Sequence, residues 1–131
     1  MQIHQSAEDY LETILMLNQR MGRVRSIDVV NELGYTKASV SIAMKKLREN
    51  GYIAVDGEGN LTLLEPGREI AERIYSRHRL LTHFFVQLGV DEEVAAEDAC
   101  KAEHILSEQT LEKIREYALL HDAEDSVQKS E

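Results

Sequence analysis

Residues 26–51, SIDVVNELGYTKASVSIAMKKLRENG, decide how this chain is read. Ser26 is placed to cap a short helix through Ile27, Val29, Val30 and Leu33. Gly34-Tyr35-Thr36 then makes a turn, and Lys37 to Asn50 form a longer helix that Gly51 stops. Val40, Ala43, Met44 and Leu47 recur at helical spacing and form its inward stripe. A short helix, a three-residue turn containing glycine and a longer helix is the helix-turn-helix pattern. The second helix opens on Lys37, Ala38, Ser39 and Ser41, side chains small or hydrogen-bonding enough to bring backbone close to base edges and phosphates. Lys45, Lys46 and Arg48 follow on the same helix. The candidate DNA-contacting residues are therefore Arg25, Ser26, Thr36, Lys37, Ala38, Ser39, Ser41, Lys45 and Lys46. The plainer alternative is a structural helical hairpin with a solvated basic face.

Charge weighs for DNA. The 131-residue chain has a net charge of −9, which by itself opposes approach to a duplex. Yet the stretch from Arg20 to Arg48 holds seven basic residues (Arg20, Arg23, Arg25, Lys37, Lys45, Lys46, Arg48) against only Asp28 and Glu32. From Gly89 to Glu131 the balance reverses, with thirteen acidic residues against four basic ones. One segment suits phosphates and the other suits cations.

Tyr52–Val55 and Asn60–Leu64 read as short strands around the turn Asp56-Gly57-Glu58-Gly59, a hairpin placed as the wing of a winged helix. The wing tip bears Asp56 and Glu58 and no lysine or arginine, so it is expected to brush a DNA backbone and not to anchor it. A first helix is expected from about Ser6 to Met21, and a long one from Glu65-Pro66-Gly67 to Leu88. A further helix spans about Asp91 to Leu106, and a last one, capped by Ser107, runs from Glu108 to Leu119. Residues 121–131 are polar and unpatterned and read as a flexible acidic tail. With 43% hydrophobic and 30% charged residues and one proline, the composition is that of a helix-rich globular protein and not a disordered one. No apolar run nears the ~20 residues of a membrane span and no secretory leader is evident, so a cytoplasmic protein without membrane contact is expected. Its single cysteine, Cys100, forms no internal disulfide.

Six side chains could ligate a metal. Cys100, Glu103 and His104 stand at i, i+3 and i+4 of the helix expected over about Asp91 to Leu106, positions that share one face. Asp9 and Glu12 are i, i+3 neighbours on the first helix, and His78 lies at the edge of the apolar face of the long one. Each has an ordinary explanation: a buried small hydrophobe for the cysteine, helix-dipole stabilisation for the acids, a core-edge residue for the histidine. Carboxylate and imidazole donors suit Mn(II), Fe(II) and Co(II), and a thiolate moves preference toward Fe(II), Zn(II) or Ni(II).

Glu8-Asp9-Tyr10-Leu11-Glu12, the helix-turn-helix with its wing, Arg77-His78-Arg79-Leu80-Leu81, and Gly89-Val90-Asp91 leading to Glu97–His104 occur in that order. In these motifs, over about Ser6 to Leu120, the chain resembles the metal-dependent repressors of the diphtheria toxin repressor and manganese transport regulator type (DtxR/MntR). The resemblance implies a mainly α fold, with a winged helix-turn-helix DNA-binding domain over 1–70 and an all-α metal-binding and dimerisation domain over 71–120. A metal site at their junction is implied as well. Asp9, Glu12, His78, Glu103 and His104 match ligand positions of manganese-type members. Cys100 stands where those members have glutamate and where iron-type members have cysteine. Iron-type members in turn carry methionine at the place of Asp9, and commonly an SH3-like third domain for which this chain has no room. The expected function is a non-enzymatic, metal-activated repressor. It would bind a near-palindromic operator as a homodimer, with Fe(II) favoured over Mn(II), while Co(II), Ni(II) or Zn(II) could substitute in vitro. The rival expectation is a winged-helix regulator that senses a small organic ligand or an oxidant through Cys100. A metalloenzyme is a weaker rival, since no free base, nucleophile or substrate cleft is suggested.

Overall fold

The computed structural model describes residues 5–129, with side chains as far as residue 123. Its elements in chain order are α1 (Gln5–Met21), α2 (Ser26–Leu33), α3 (Lys37–Glu49), β1 (Ile53–Val55), β2 (Leu61–Leu63), α4 (Glu65–Gln87), α5 (Glu92–Ala102) and α6 (Glu108–Lys129). The chain divides into two compact units, Met1–Ile74 and Tyr75–Glu131, so the division falls inside α4.

In the first unit, Leu11, Ile14 and Leu17 of α1, Val29 of α2 and Val40, Met44 and Leu47 of α3 are all buried. These are the positions that helical spacing marks as apolar, and their burial is the main force assembling the three helices. Gly34 ends α2 in the left-handed region (φ 71°) and its N–H donates to Val30 O at 2.8 Å. A residue with a Cβ would be strained there. Thr36 then caps α3, its Oγ1 accepting from Ser39 N at 3.1 Å, which fixes where the second helix of the motif begins. The start of α2 differs from expectation. Arg25 is its cap residue and Ser26 its first helical residue, because the Asp28 carboxylate reaches back to accept from Arg25 N at 2.9 Å.

The wing is an antiparallel pair, Ile53 facing Leu63 and Val55 facing Leu61. Ile53, Leu61 and Leu63 turn inward, and Leu61 N donates to Val24 O at 2.7 Å, tying the hairpin to the α1–α2 connection. Asp56 organises the turn, since its carboxylate accepts from Glu58 N, Asn60 N and Asn60 Nδ2, each at 2.9 Å. Those bonds hold its carboxyl below the usual range, the Asn60 side chain contributing most. Gly67 allows α4 to pass the wing closely: a Cβ there would lie 2.2 Å from Tyr52 O.

The second unit packs Leu81 of α4, Ala99 of α5 and Leu111 of α6 into one buried cluster, with Leu80, Phe85, Ala102, Leu106 and Ile114 against it. Ser107 caps α6 as expected, accepting from Thr110 N at 3.2 Å. Two expectations are corrected here. Residues 121–129, read as the start of a tail, continue α6, while residues 130 and 131 lie outside the described residues. No glycine or proline follows Leu120 to stop the helix, and Asp122 is held by His83 Nε2 and Gln87 Nε2, both at 2.9 Å. The other correction is α5, which ends at Ala102 and not near Leu106.

Candidate functional site

The early end of α5 sets the geometry of the donors in the second unit. Glu103 is the cap residue, still in right-handed helical conformation with its N–H bonded to Ala99 O, but the next bond is Ile105 N to Ala102 O, a tighter step. Had the helix continued, Glu103 O would have accepted from residue 107. Arg77 of α4 satisfies that carbonyl instead: Nη1 donates to Glu103 O at 3.2 Å, and Nη2 pairs with Glu108 at the start of α6. The guanidinium thus pins both ends of the turn between α5 and α6. In the sequence Arg77 stands out only as a member of the Arg77–Leu81 motif, which gives no hint of this role.

On that turn the Glu103 side chain is fully buried, and it lies between two imidazoles. Its Oε2 is 3.0 Å from His78 Nδ1, and its Oε1 is 3.4 Å from His104 Nε2. The His78 and His104 side chains are 20% and 2% exposed, so all three groups are largely out of water. Glu103 Oε1 makes no hydrogen bond among the described residues. A carboxylate in such surroundings needs a compensating positive charge. An acceptor oxygen left over beside imidazole nitrogens is what a divalent transition metal requires of its ligands. The residues present fit such an ion.

Of the other donors read from the sequence, Cys100 is exposed on α5 although Glu103, three residues on, is buried. Glu103, as the cap residue, keeps the helical spacing to Cys100, while His104 lies past the end of α5. Asp9 and Glu12 stand one turn apart on α1 in the first unit, where Glu12 is buried and Asp9 partly so. Next to them, Tyr10 packs edge-on against Tyr35 of the helix-turn-helix turn, with ring centroids 5.9 Å apart. Burial is the main cause that pushes the Tyr10 hydroxyl above its usual range, with Tyr35 and Asp9 adding to it. Glu8 is tied to Arg73 at 3.2 Å.

The candidate DNA-contacting residues gather on α3 and at the two helix starts. Arg25, Thr36, Lys37, Ala38, Ser39, Ser41, Lys45 and Lys46 are exposed and Ser26 is partly so. Thr36 and Ser39 are occupied with one another in the cap, Thr36 Oγ1 donating to Ser39 Oγ at 2.8 Å. Spacing alone missed one residue on this surface: Ile42, 58% exposed among polar neighbours.

A basic helix-turn-helix with a wing, joined to a helical unit that holds a buried carboxylate between two histidines, defines a class: winged-helix regulators with a metal-binding module. Comparison with known proteins agrees. Residues 2–61 match the model of the iron dependent repressor N-terminal DNA binding domain, and residues 64–122 that of the iron dependent repressor metal binding and dimerisation domain. The chain belongs to the DtxR/MntR family of metal-dependent transcriptional repressors. It is 36% identical over 113 residues to an uncharacterized HTH-type transcriptional regulator of Methanocaldococcus jannaschii, covering 85% of this chain and 90% of that one. It is 32% identical over 124 residues to the HTH-type transcriptional regulator MntR of Bacillus subtilis, covering 95% and 87%. Among solved structures, a manganese-dependent transcriptional repressor in complex with manganese aligns with a TM-score of 0.78 at 28% identity, over 86% of this chain and 52% of that one. The chain thus spans about half the length of that solved structure. No helix among the described residues is long and apolar enough to cross a membrane.

Proposed function

We propose that this protein is a metal-activated repressor that binds operator DNA as a symmetric dimer, and that His78, Glu103 and His104 together with Asp9 and Glu12 hold the activating cation. The observation that carries the reading is the buried Glu103 carboxylate, bracketed by two imidazoles and left with an acceptor oxygen that no described residue satisfies. Asp9 and Glu12 join the set on the strength of the Glu8–Glu12 motif. A divalent cation held there would supply the positive charge that these donors lack. The chain's own residues do the rest: Arg77 orients the turn that bears Glu103 and His104, and α1 links Asp9 and Glu12 to the helix-turn-helix through Tyr10 and Tyr35. An ion held by donors of both units would restrict their relative freedom and so would favour a single DNA-competent arrangement. Without an ion, carboxylates brought together in that way would repel each other and oppose the arrangement.

Dimerisation is supported by exposed apolar side chains of the second unit, among them Leu88, Val94, Ile105 and Leu119, which a monomer leaves in water. A two-fold dimer presents two copies of α3 to a near-palindromic site. Five oxygen and imidazole donors suit Mn(II), Fe(II) and Co(II) alike, and a Cys100 thiolate as sixth donor ranks Fe(II) above Mn(II). The exposure of Cys100 makes metal ranking the sensitive readout of its part.

The test is anaerobic binding to a randomised duplex pool across Mn(II), Fe(II), Co(II) and Zn(II), with wild type and Cys100→Glu. Duplex binding that requires metal and is abolished by chelator is expected, with Cys100→Glu moving activation toward Mn(II). Binding indifferent to chelator would overturn the metal reading, and identical rankings for the two proteins would remove Cys100 from the ligand set.

A further inference from the structure

The outward face of α3 carries one side chain that electrostatics does not explain. Ile42 lies two residues from both Val40 and Met44, which places it roughly 160° around the helix from each of these buried anchors. It therefore lies on the outward face of the helix, away from the buried stripe, and it is 58% exposed. Single exposed apolar residues are ordinary on protein surfaces. This one differs in its neighbours, since Ser39, Lys45 and Lys46 around it are exposed, polar or basic, and suited to phosphate. Ala38, one turn earlier on the same stripe, is exposed as well and adds a second methyl surface.

An isoleucine can neither donate nor accept a hydrogen bond, so it cannot read the nitrogen and oxygen edges of a base pair. The major groove offers one apolar feature, the C5-methyl group of thymine. We infer that Ile42 is a specificity-determining residue that selects thymine, through its 5-methyl group, at one position of each half-site. The inference rests on the proposed docking of α3 in the major groove and adds to it the chemical group that is read.

The experiment uses Mn(II)-loaded full-length protein and the duplex it selects from a randomised pool. Each thymine is then replaced in turn by deoxyuridine, which removes the methyl group and leaves every hydrogen-bonding edge in place. At one position per half-site, the replacement should weaken wild-type binding about fourfold, the worth of roughly one buried methyl group. Ile42→Ala should show no penalty there, and Ile42→Gln should redirect the selection toward adenine, whose N6 and N7 an amide reads. Ile42 is exposed, so both variants should melt with wild type, which confines the effect to recognition. Equal deoxyuridine penalties in wild type and Ile42→Ala would overturn the inference alone. Failure of wild type to bind any duplex in the pool would overturn both the inference and the DNA-binding reading.

Discussion

The outward face of α3 and the turn after α5 are built on opposite plans. On α3 the working side chains are exposed and nearly independent, held only by the helix that Thr36 starts and the apolar stripe anchors. At the turn they are buried and mutually dependent: Glu103 meets His78 and His104, and its backbone is fixed by Arg77. A face that meets a polyanion from solvent gains from many modest, additive contacts. A cation site gains from a few groups oriented by their neighbours. Substitutions at the turn should therefore act steeply on the metal response, and those on α3 gradually and on the salt dependence.

The sharpest contrast should come from Glu103→Ala. Removing the central carboxylate should lower Mn(II) affinity at least about 100-fold by calorimetry, since even groups that only orient ligands commonly cost 10–100-fold. The salt slope of residual DNA binding should stay unchanged. Arg77→Met ranks next, with an expected loss of roughly 10-fold in metal affinity that Arg77→Lys partly restores. An undiminished affinity in Arg77→Met would show that the turn holds its shape without the guanidinium. On the other side of the comparison, Lys37→Ala and Lys46→Ala should each lower the slope of log affinity against log salt by about one and leave the metal midpoint where it was.

How much of this was legible in the sequence follows the same division. The helix-turn-helix depends on local signals, a glycine at the left-handed position, a hydroxyl cap and an apolar stripe, all carried by neighbouring residues. Local periodicity recovers such features. The motif order points to His78, Glu103 and His104 as ligands, but periodicity misplaces the end of α5, where the Glu103 carbonyl is met by Arg77, 26 residues away. Cys100 and Glu103 stand one turn apart, as their spacing has it, yet one is exposed and the other fully buried, a difference that periodicity alone does not carry. The continuation of α6 past Leu120 was hidden for a related reason, since His83 and Gln87, which grip Asp122, are distant in sequence.

The smallest effect should arise in the wing. The hydrogen bonds from Asn60 hold Asp56 below the usual carboxylate value of 3.8. Folding is therefore favoured by the ionised group above that value, and the benefit is lost as pH falls through the lower value of the folded state. Asp56 is exposed, so Asp56→Asn should change the melting temperature only slightly at neutral pH and flatten its acid limb. It should alter neither metal affinity nor the salt slope.

The central claim is that the buried donors and the exposed DNA face report on one equilibrium. Calorimetric titration of the full chain with Mn(II), in the presence and absence of saturating selected duplex, tests it most directly. Coupling between two sites is reciprocal, so a metal that strengthens DNA binding must itself bind more tightly when DNA is present. A gain in Mn(II) affinity of roughly 5- to 150-fold is expected with duplex, whereas equal affinities in the two titrations would show that the two sites are uncoupled.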